Sequence, residues 1–199
     1  MKSYDVIRVH GKPNWDTIPV APIDEYLWSD VRSIVPSAQL AWDEDALYVR
    51  LQAIEPKILR RFTGTLDEVC KDSCLEFFFC PAGGDRYFNF EWNPAGGLYL
   101  GLRSGHELYV RLQPEDPVAL FEYRSQRTDD GWEIFYKIPL SFINLIFPEF
   151  QLASGTAFRA NCFKCGDRTV QPHYLSWNPC TSDYPRFHLV SDFGRMILE

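Results

Sequence analysis

Apolar and polar residues alternate along much of this chain, most clearly between residues 71 and 93. Lys71-Asp72-Ser73-Cys74-Leu75-Glu76-Phe77-Phe78-Phe79-Cys80 runs into Pro81-Ala82-Gly83-Gly84-Asp85, and Arg86-Tyr87-Phe88-Asn89-Phe90-Glu91-Trp92-Asn93 runs into Pro94-Ala95-Gly96-Gly97. Two such runs, each closed by turn-forming residues, predict a β-hairpin. Side chains alternate between the faces of a strand, so Leu75, Phe77 and Phe79 share one face and Cys74, Glu76 and Phe78 the other. In the second run Phe88, Phe90 and Trp92 oppose Tyr87, Asn89, Glu91 and Asn93. One face is core; the other gathers amides and carboxylates, groups that hydrogen-bond a polar, uncharged ligand.

The same reading extends along the chain. Residues 1–30 form a Pro-rich leader with a short strand at 4–9, packed on the domain by Trp15 and Trp28. Runs at 37–42 and 46–53 flank the acidic turn Asp43-Glu44-Asp45 and predict a second hairpin. Residues 55–62 read as a short helical turn and 63–69 as an exposed loop. Residues 98–102 and 107–112 pair about a turn at Gly105-His106, and 121–125 and 131–139 flank the turn signal Asp129-Asp130-Gly131. A brief helix is expected at 140–147, a strand at 158–165, a loop at 172–185 and an edge strand at 193–198. Many short strands and almost no helical periodicity define an all-β fold: a single domain over residues 1–199, an antiparallel β-sandwich with short helical turns. Trp42, Trp92 and Trp132 lie on apolar faces and are assigned to the core.

Composition narrows the partners. Aromatic residues make up 16% of the chain, enough to fill a sheet core and leave rings for stacking. The formal net charge of -7 and the absence of Lys/Arg clusters exclude nucleic acid and anionic membrane surfaces as natural partners. No apolar run approaches a bilayer span. Met1-Lys2-Ser3-Tyr4-Asp5-Val6 carries no apolar signal region, which reads as a soluble, cytoplasmic chain. The six cysteines are expected as buried free thiols. Cys162-x-x-Cys165 has the spacing of a zinc knuckle, with His173 and Cys180 to complete it, but on a regular strand its thiols point to opposite faces.

Four patterns in order, Ala41-Trp42-Asp43-Glu44-Asp45-Ala46-Leu47-Tyr48-Val49, Lys71-Asp72-Ser73-Cys74-Leu75-Glu76-Phe77-Phe78, Tyr87-Phe88-Asn89-Phe90-Glu91, and Gly131-Trp132-Glu133 with Ile138-Pro139-Leu140, resemble family 9 carbohydrate-binding modules and related DOMON-like sandwiches. Phe163-Lys164-Cys165-Gly166-Asp167 with Pro172-His173-Tyr174-Leu175-Ser176-Trp177-Asn178-Pro179 looks like the stand-alone members of that group. The resemblance implies a jelly-roll-type sandwich that binds a mono- or oligosaccharide without catalysis. Glu76 matches the family's hydroxyl-binding glutamate, and Trp177 looks like one wall of its aromatic clamp. The other wall falls at Cys70, which has no ring beside it. The family also implies structural calcium, although no loop here is dense enough in carboxylates to assign it, and no other cofactor is expected.

Glu76, Asn89, Glu91, Arg159 and Asn161 are therefore the expected hydrogen-bonding set, with Trp177 stacking on the sugar. Two other readings stay open. Glu76 and Glu91 are also the residue types of a glycoside-processing enzyme, one as acid and one as base or nucleophile. Alternatively, the polar face is internal to a structural or interaction domain.

Overall fold

A computed structural model of the chain describes residues 1–65, 67–105 and 107–199, apart from the side chains of 108 and 109. Its strands are β1 (Ser3–Arg8), β2 (Ala21–Pro22), β3 (Glu25–Leu27), β4 (Val35–Trp42), β5 (Ala46–Ile54), β6 (Cys74–Cys80), β7 (Arg86–Trp92), β8 (Leu98–Ser104), β9 (Glu107–Arg111), β10 (Arg124–Arg127), β11 (Gly131–Pro139), β12 (Ala157–Cys165), β13 (Tyr174–Ser176) and β14 (Gly194–Leu198). The short helices are α1 (Pro117–Phe121) and α2 (Leu140–Asn144). No described helix is long and apolar enough to cross a membrane.

The strands follow one hydrogen-bonded path, β10-β11-β5-β4-β1-β14-β12-β6-β7-β8-β9, which curls into a sandwich. β1 is the hinge of that path. Its residues 3–6 pair with β14 and residues 7–8 with β4, so one strand serves both layers. Both of these pairings are parallel while the other ladders are antiparallel, so the sandwich is mixed where the sequence suggests a purely antiparallel one. β14 accordingly lies between β1 and β12 and is not an edge.

Both expected hairpins form. In the first, Asp43 Oδ1 accepts from the N–H groups of Asp45 and Ala46, each at 2.9 Å, which fixes the acidic turn between β4 and β5. In the second, β6 and β7 put Phe77, Phe79, Phe88, Phe90 and Trp92 into the core against Leu47, Val49, Leu51, Trp132 and Ile134. Each such ring stabilises the fold by roughly 1.5–3 kcal/mol relative to exposure. Trp42 and Trp132 are core residues, as expected.

Residues 55–62 do not form the expected helical turn. The side chains of Ser73 and Asp72 capture the N–H groups of Leu59 (2.9 Å), Arg61 (2.5 Å) and Phe62 (2.9 Å), which takes those donors from a helical turn. Phe121 ends α1 and begins no strand; Asp116 caps that helix by accepting from Ala119 N–H, with Pro117 in its first turn. The 172–185 loop contains β13, which bridges β12 and β3. The turn expected at Gly105-His106 falls partly outside the described residues.

Candidate ligand-binding cleft

The hairpin face opposite the core is buried. Phe78 and Tyr87 on it, with Phe163 of the adjoining β12, are covered by Val190 and Phe193 of the segment that returns to β14. That cover stops short of Glu76 and Glu91, which form the floor of a cleft of about 350 Å³. The cross-strand register of β6 and β7 sets these two residues directly opposite each other. Neighbouring Cβ atoms in such a pair are about 4.5–5.5 Å apart, so the carboxyl groups rise side by side.

Their burial decides their protonation. Glu76 is 2% exposed, and desolvation, reinforced by the adjacent Glu91 charge, holds its carboxyl well above the usual range. Burial also pushes Glu91 up, to about 7, against the opposing pull of Asn89 Nδ2 and the positive charge of Arg103. Both carboxyls are thus drawn toward their protonated forms, Glu91 to a value near neutrality. A carboxyl drawn toward its protonated form can donate as well as accept a hydrogen bond. Asn89 orients both sides of this arrangement: its Nδ2 donates to Glu91 Oε1 at 2.7 Å, and its Oδ1 accepts from Arg103 Nε at 3.3 Å. A Cβ on Gly101 would collide with Asn89 Oδ1, so glycine at that position makes room for the contact.

Aromatic rings build one wall. Trp28 packs 5.7 Å from Tyr174 and 5.5 Å from Phe187, and Phe187 stacks on Phe163 at 4.2 Å. Trp28 has a backbone φ of 50°, a left-handed conformation that costs a bulky residue about 1–2 kcal/mol. Its Nε1 donates to Ser182 O at 2.8 Å, which holds the ring in place. Tyr99 and Arg111 meet across the cleft with the guanidinium 5.0 Å from the ring centroid.

The expected residues divide. Glu76, Asn89 and Glu91 come together at the floor, Asn89 as the residue that positions Glu91. Trp177 does not line the cleft. It is 3% exposed, meets Tyr4 edge-on at 6.5 Å, and lies where any Cβ on Gly194 would strike it, so it is a core plug between β12 and β14. Asn161 is also internal: its Nδ2 donates to Asn178 O and Asp192 O, each at 3.1 Å, and its Oδ1 accepts from Asn178 N–H at 2.9 Å. Arg159 reaches Gly84 O and Val190 O, tying down loops away from the cleft. Sequence reasoning missed Trp28 as a cleft residue, although an aromatic in a polar turn, Leu27-Trp28-Ser29-Asp30, was the signal for it.

All six cysteines are free. Cys162 faces the main core while Cys165 faces the cleft, so the Cys162-x-x-Cys165 spacing makes no site. Cys165 instead meets Cys74, its register partner on β12 and β6, beside Glu76.

A curled β-sandwich with a buried carboxyl pair at the floor of an aromatic-walled cleft has the build of a small-ligand-binding module. The chain belongs to carbohydrate-binding family 9, whose profile matches residues 14–198. It is similar along its whole length to a candidate carbohydrate-binding protein from Bacteroides uniformis ATCC 8492, with 26% identity, a TM-score of 0.85 and coverage of 99% of that protein's chain. A family 9 module from Caldicellulosiruptor kristjanssonii, solved with cellotriose and with glucose, shares the fold at 14% identity. Its TM-scores are 0.72 and 0.70, over 100% of this chain and 94% and 96% of those chains. No curated protein matches the chain.

Proposed function

We propose that the cleft binds a mono- or oligosaccharide without chemical turnover, gripping hydroxyls with Glu76 and Glu91 and stacking a sugar ring on the wall formed by Trp28, Tyr174 and Phe187. The observation that carries this reading is the pair of buried, register-matched carboxyls at the floor of an aromatic-walled cleft. A sugar hydroxyl both donates and accepts, and carboxyls drawn toward their protonated forms can do either. The sugar's C–H faces suit a ring wall. Glucose and cellotriose, the sugars of the Caldicellulosiruptor module, are the first ligands to test. The alternative, a glycoside-processing enzyme using Glu76 and Glu91, requires turnover that is abolished by Glu→Gln at either position.

The test is calorimetric titration with a panel of neutral mono- and oligosaccharides. Wild-type protein should bind at least one of them. Glu76→Leu should weaken it about tenfold to a hundredfold, as expected for one charge-assisted or buried hydrogen-bonding group lost. Conservative core replacement at Trp177→Phe should leave affinity per folded molecule unchanged. Absence of binding across the panel, or binding indifferent to Glu76→Leu, would sink the assignment.

A further inference from the structure

We propose that Cys74, Cys165 and Glu76 form a site for a zinc-class divalent ion set into the cleft floor. Cys74 and Cys165 are a register pair of β6 and β12, and Glu76 lies two residues along β6 on the same face. One donor atom from each, the two thiol sulfurs and a carboxylate oxygen, lie within 4.8 Å of one another, and all three residues are buried. Cys165 Sγ already stands 3.0 Å from Glu76 Oε1. A tetrahedral ion bound about 2.3 Å from sulfur and 2.0–2.2 Å from oxygen requires donors gathered on this scale.

The donor set selects the metal. Two thiolates and one carboxylate suit zinc and its borderline-soft relatives, whereas calcium and magnesium take all-oxygen shells. The fourth position opens toward the cleft, where Cys70 stands half-buried and its carbonyl accepts from Cys165 Sγ at 3.5 Å. Binding exchanges protons for metal: the divalent ion enters, two S–H groups and one COOH each release a proton, and no electron moves. The site passes from neutral to a single negative charge, which Arg103 and Arg111 of the same cleft offset. This site stands on its own geometry, but it shares Glu76 with the proposed saccharide site, so metal and sugar compete for that carboxyl.

The experiment uses the full chain, reduced and stripped with chelator. Titration with Co(II) should give a one-to-one complex with the thiolate-to-metal charge-transfer absorption of a four-coordinate site, and Zn(II) should displace it. Cys74→Ala and Cys165→Ala should each weaken Co(II) binding at least tenfold, while Cys162→Ala, whose thiol faces the main core, should not. A readout on wild-type protein alone avoids any folding defect: Zn(II) should slow alkylation of Cys74 and Cys165 in dilute denaturant, mapped by mass spectrometry. No thiolate absorption, absorption retained in both variants, or no protection of either thiol would overturn the proposal. Saccharide titration of the same stripped protein separates the two readings: sugar binding without any Co(II) signal removes only the metal site, and the converse removes only the sugar site.

Discussion

Two buried carboxyl groups, Glu55 and Glu76, draw their neighbours from the adjoining ends of β6 and β12, and they meet opposite fates. Glu55 is fully partnered. Ser73 Oγ donates to its Oε1 at 2.6 Å, Trp132 Nε1 to its Oε2 at 3.0 Å, and Lys164 Nζ stands 3.3 Å away. Lys164 also donates to Cys165 O and meets His173 Nε2 at 2.8 Å, so His173 accepts there and its Nδ1–H donates to Gln171 O. Glu76 has thiols and another carboxyl for company. Consecutive residues supply the two clusters: Ser73 and Lys164 go to the Glu55 side, Cys74 and Cys165 to the Glu76 side. The closed, charge-balanced cluster fastens the fold, whereas the Glu76 cluster opens onto the cleft, where a ligand can reach it.

The largest expected effect breaks the closed cluster. Lys164→Met removes the cation and leaves Glu55 buried and unpaired, which should cost about 3–5 kcal/mol of unfolding free energy by denaturant titration. Glu76→Leu replaces a buried acid by an apolar side chain of similar size and should change stability by about 1 kcal/mol or less, of either sign, while ligand binding falls. If Lys164→Met were as mild as Glu76→Leu, the distinction between fastening and binding clusters would be wrong.

That distinction was only half visible in the sequence. The β6–β7 hairpin, its core face and the proximity of Glu76, Asn89 and Glu91 follow from period-two alternation and turn residues, which are local signals. Arg159 and Asn161 do lie on the polar face, as alternation requires, yet the 178–193 segment folds over them, and nothing local announces that cover. Trp177 was a misread local signal: Leu175 and Trp177 alternate inward as an extension of β13, but the segment looks like loop because its Pro and Asn residues dominate. β14 as an interior strand depends on parallel pairing with the distant N-terminus, which no short-range pattern encodes. Glu55 escaped notice because its partners, Ser73, Trp132, Lys164 and His173, come from four separate stretches.

A smaller effect sharpens the comparison through pH. Glu91 titrates at about 7 in the fold, raised from an ordinary 4.5, so the native state holds more protons than the unfolded chain between those values. Its contribution is present below pH 4.5 and is lost as pH rises toward 7, at most roughly 3 kcal/mol. His173 behaves in the opposite sense. Burial, aided by the Lys164 charge, lowers it from 6.5 to about 4, so the stability of the Glu55 cluster is present above pH 6.5 and is lost as pH falls to 4. In the wild type the two slopes oppose each other. Glu91→Gln should unmask a loss of stability on acidification from pH 6.5 to 4.5, and His173→Gln should unmask a gain. Identical pH profiles for the two variants in chemical denaturation would show that neither cluster titrates as its surroundings require.

The smallest expected change in stability falls at Trp28, where the wall of the cleft is held in a strained conformation. A core tryptophan such as Trp177, cut to a small residue, should cost about 3–5 kcal/mol. Trp28→Asn removes ring contacts with Tyr174 and Phe187 and the hydrogen bond to Ser182, but asparagine tolerates the φ of 50° that tryptophan occupies at a cost. The loss and the relief should nearly cancel, leaving the denaturation midpoint shifted by the equivalent of about 1 kcal/mol or less. Saccharide affinity should fall, because the ring that bears on the cleft is gone while Glu76 and Glu91 remain in place. A Trp28→Asn protein that unfolds as readily as a core mutant, yet binds as tightly as wild type once folded, would make Trp28 part of the fastening and leave the open cluster without its wall.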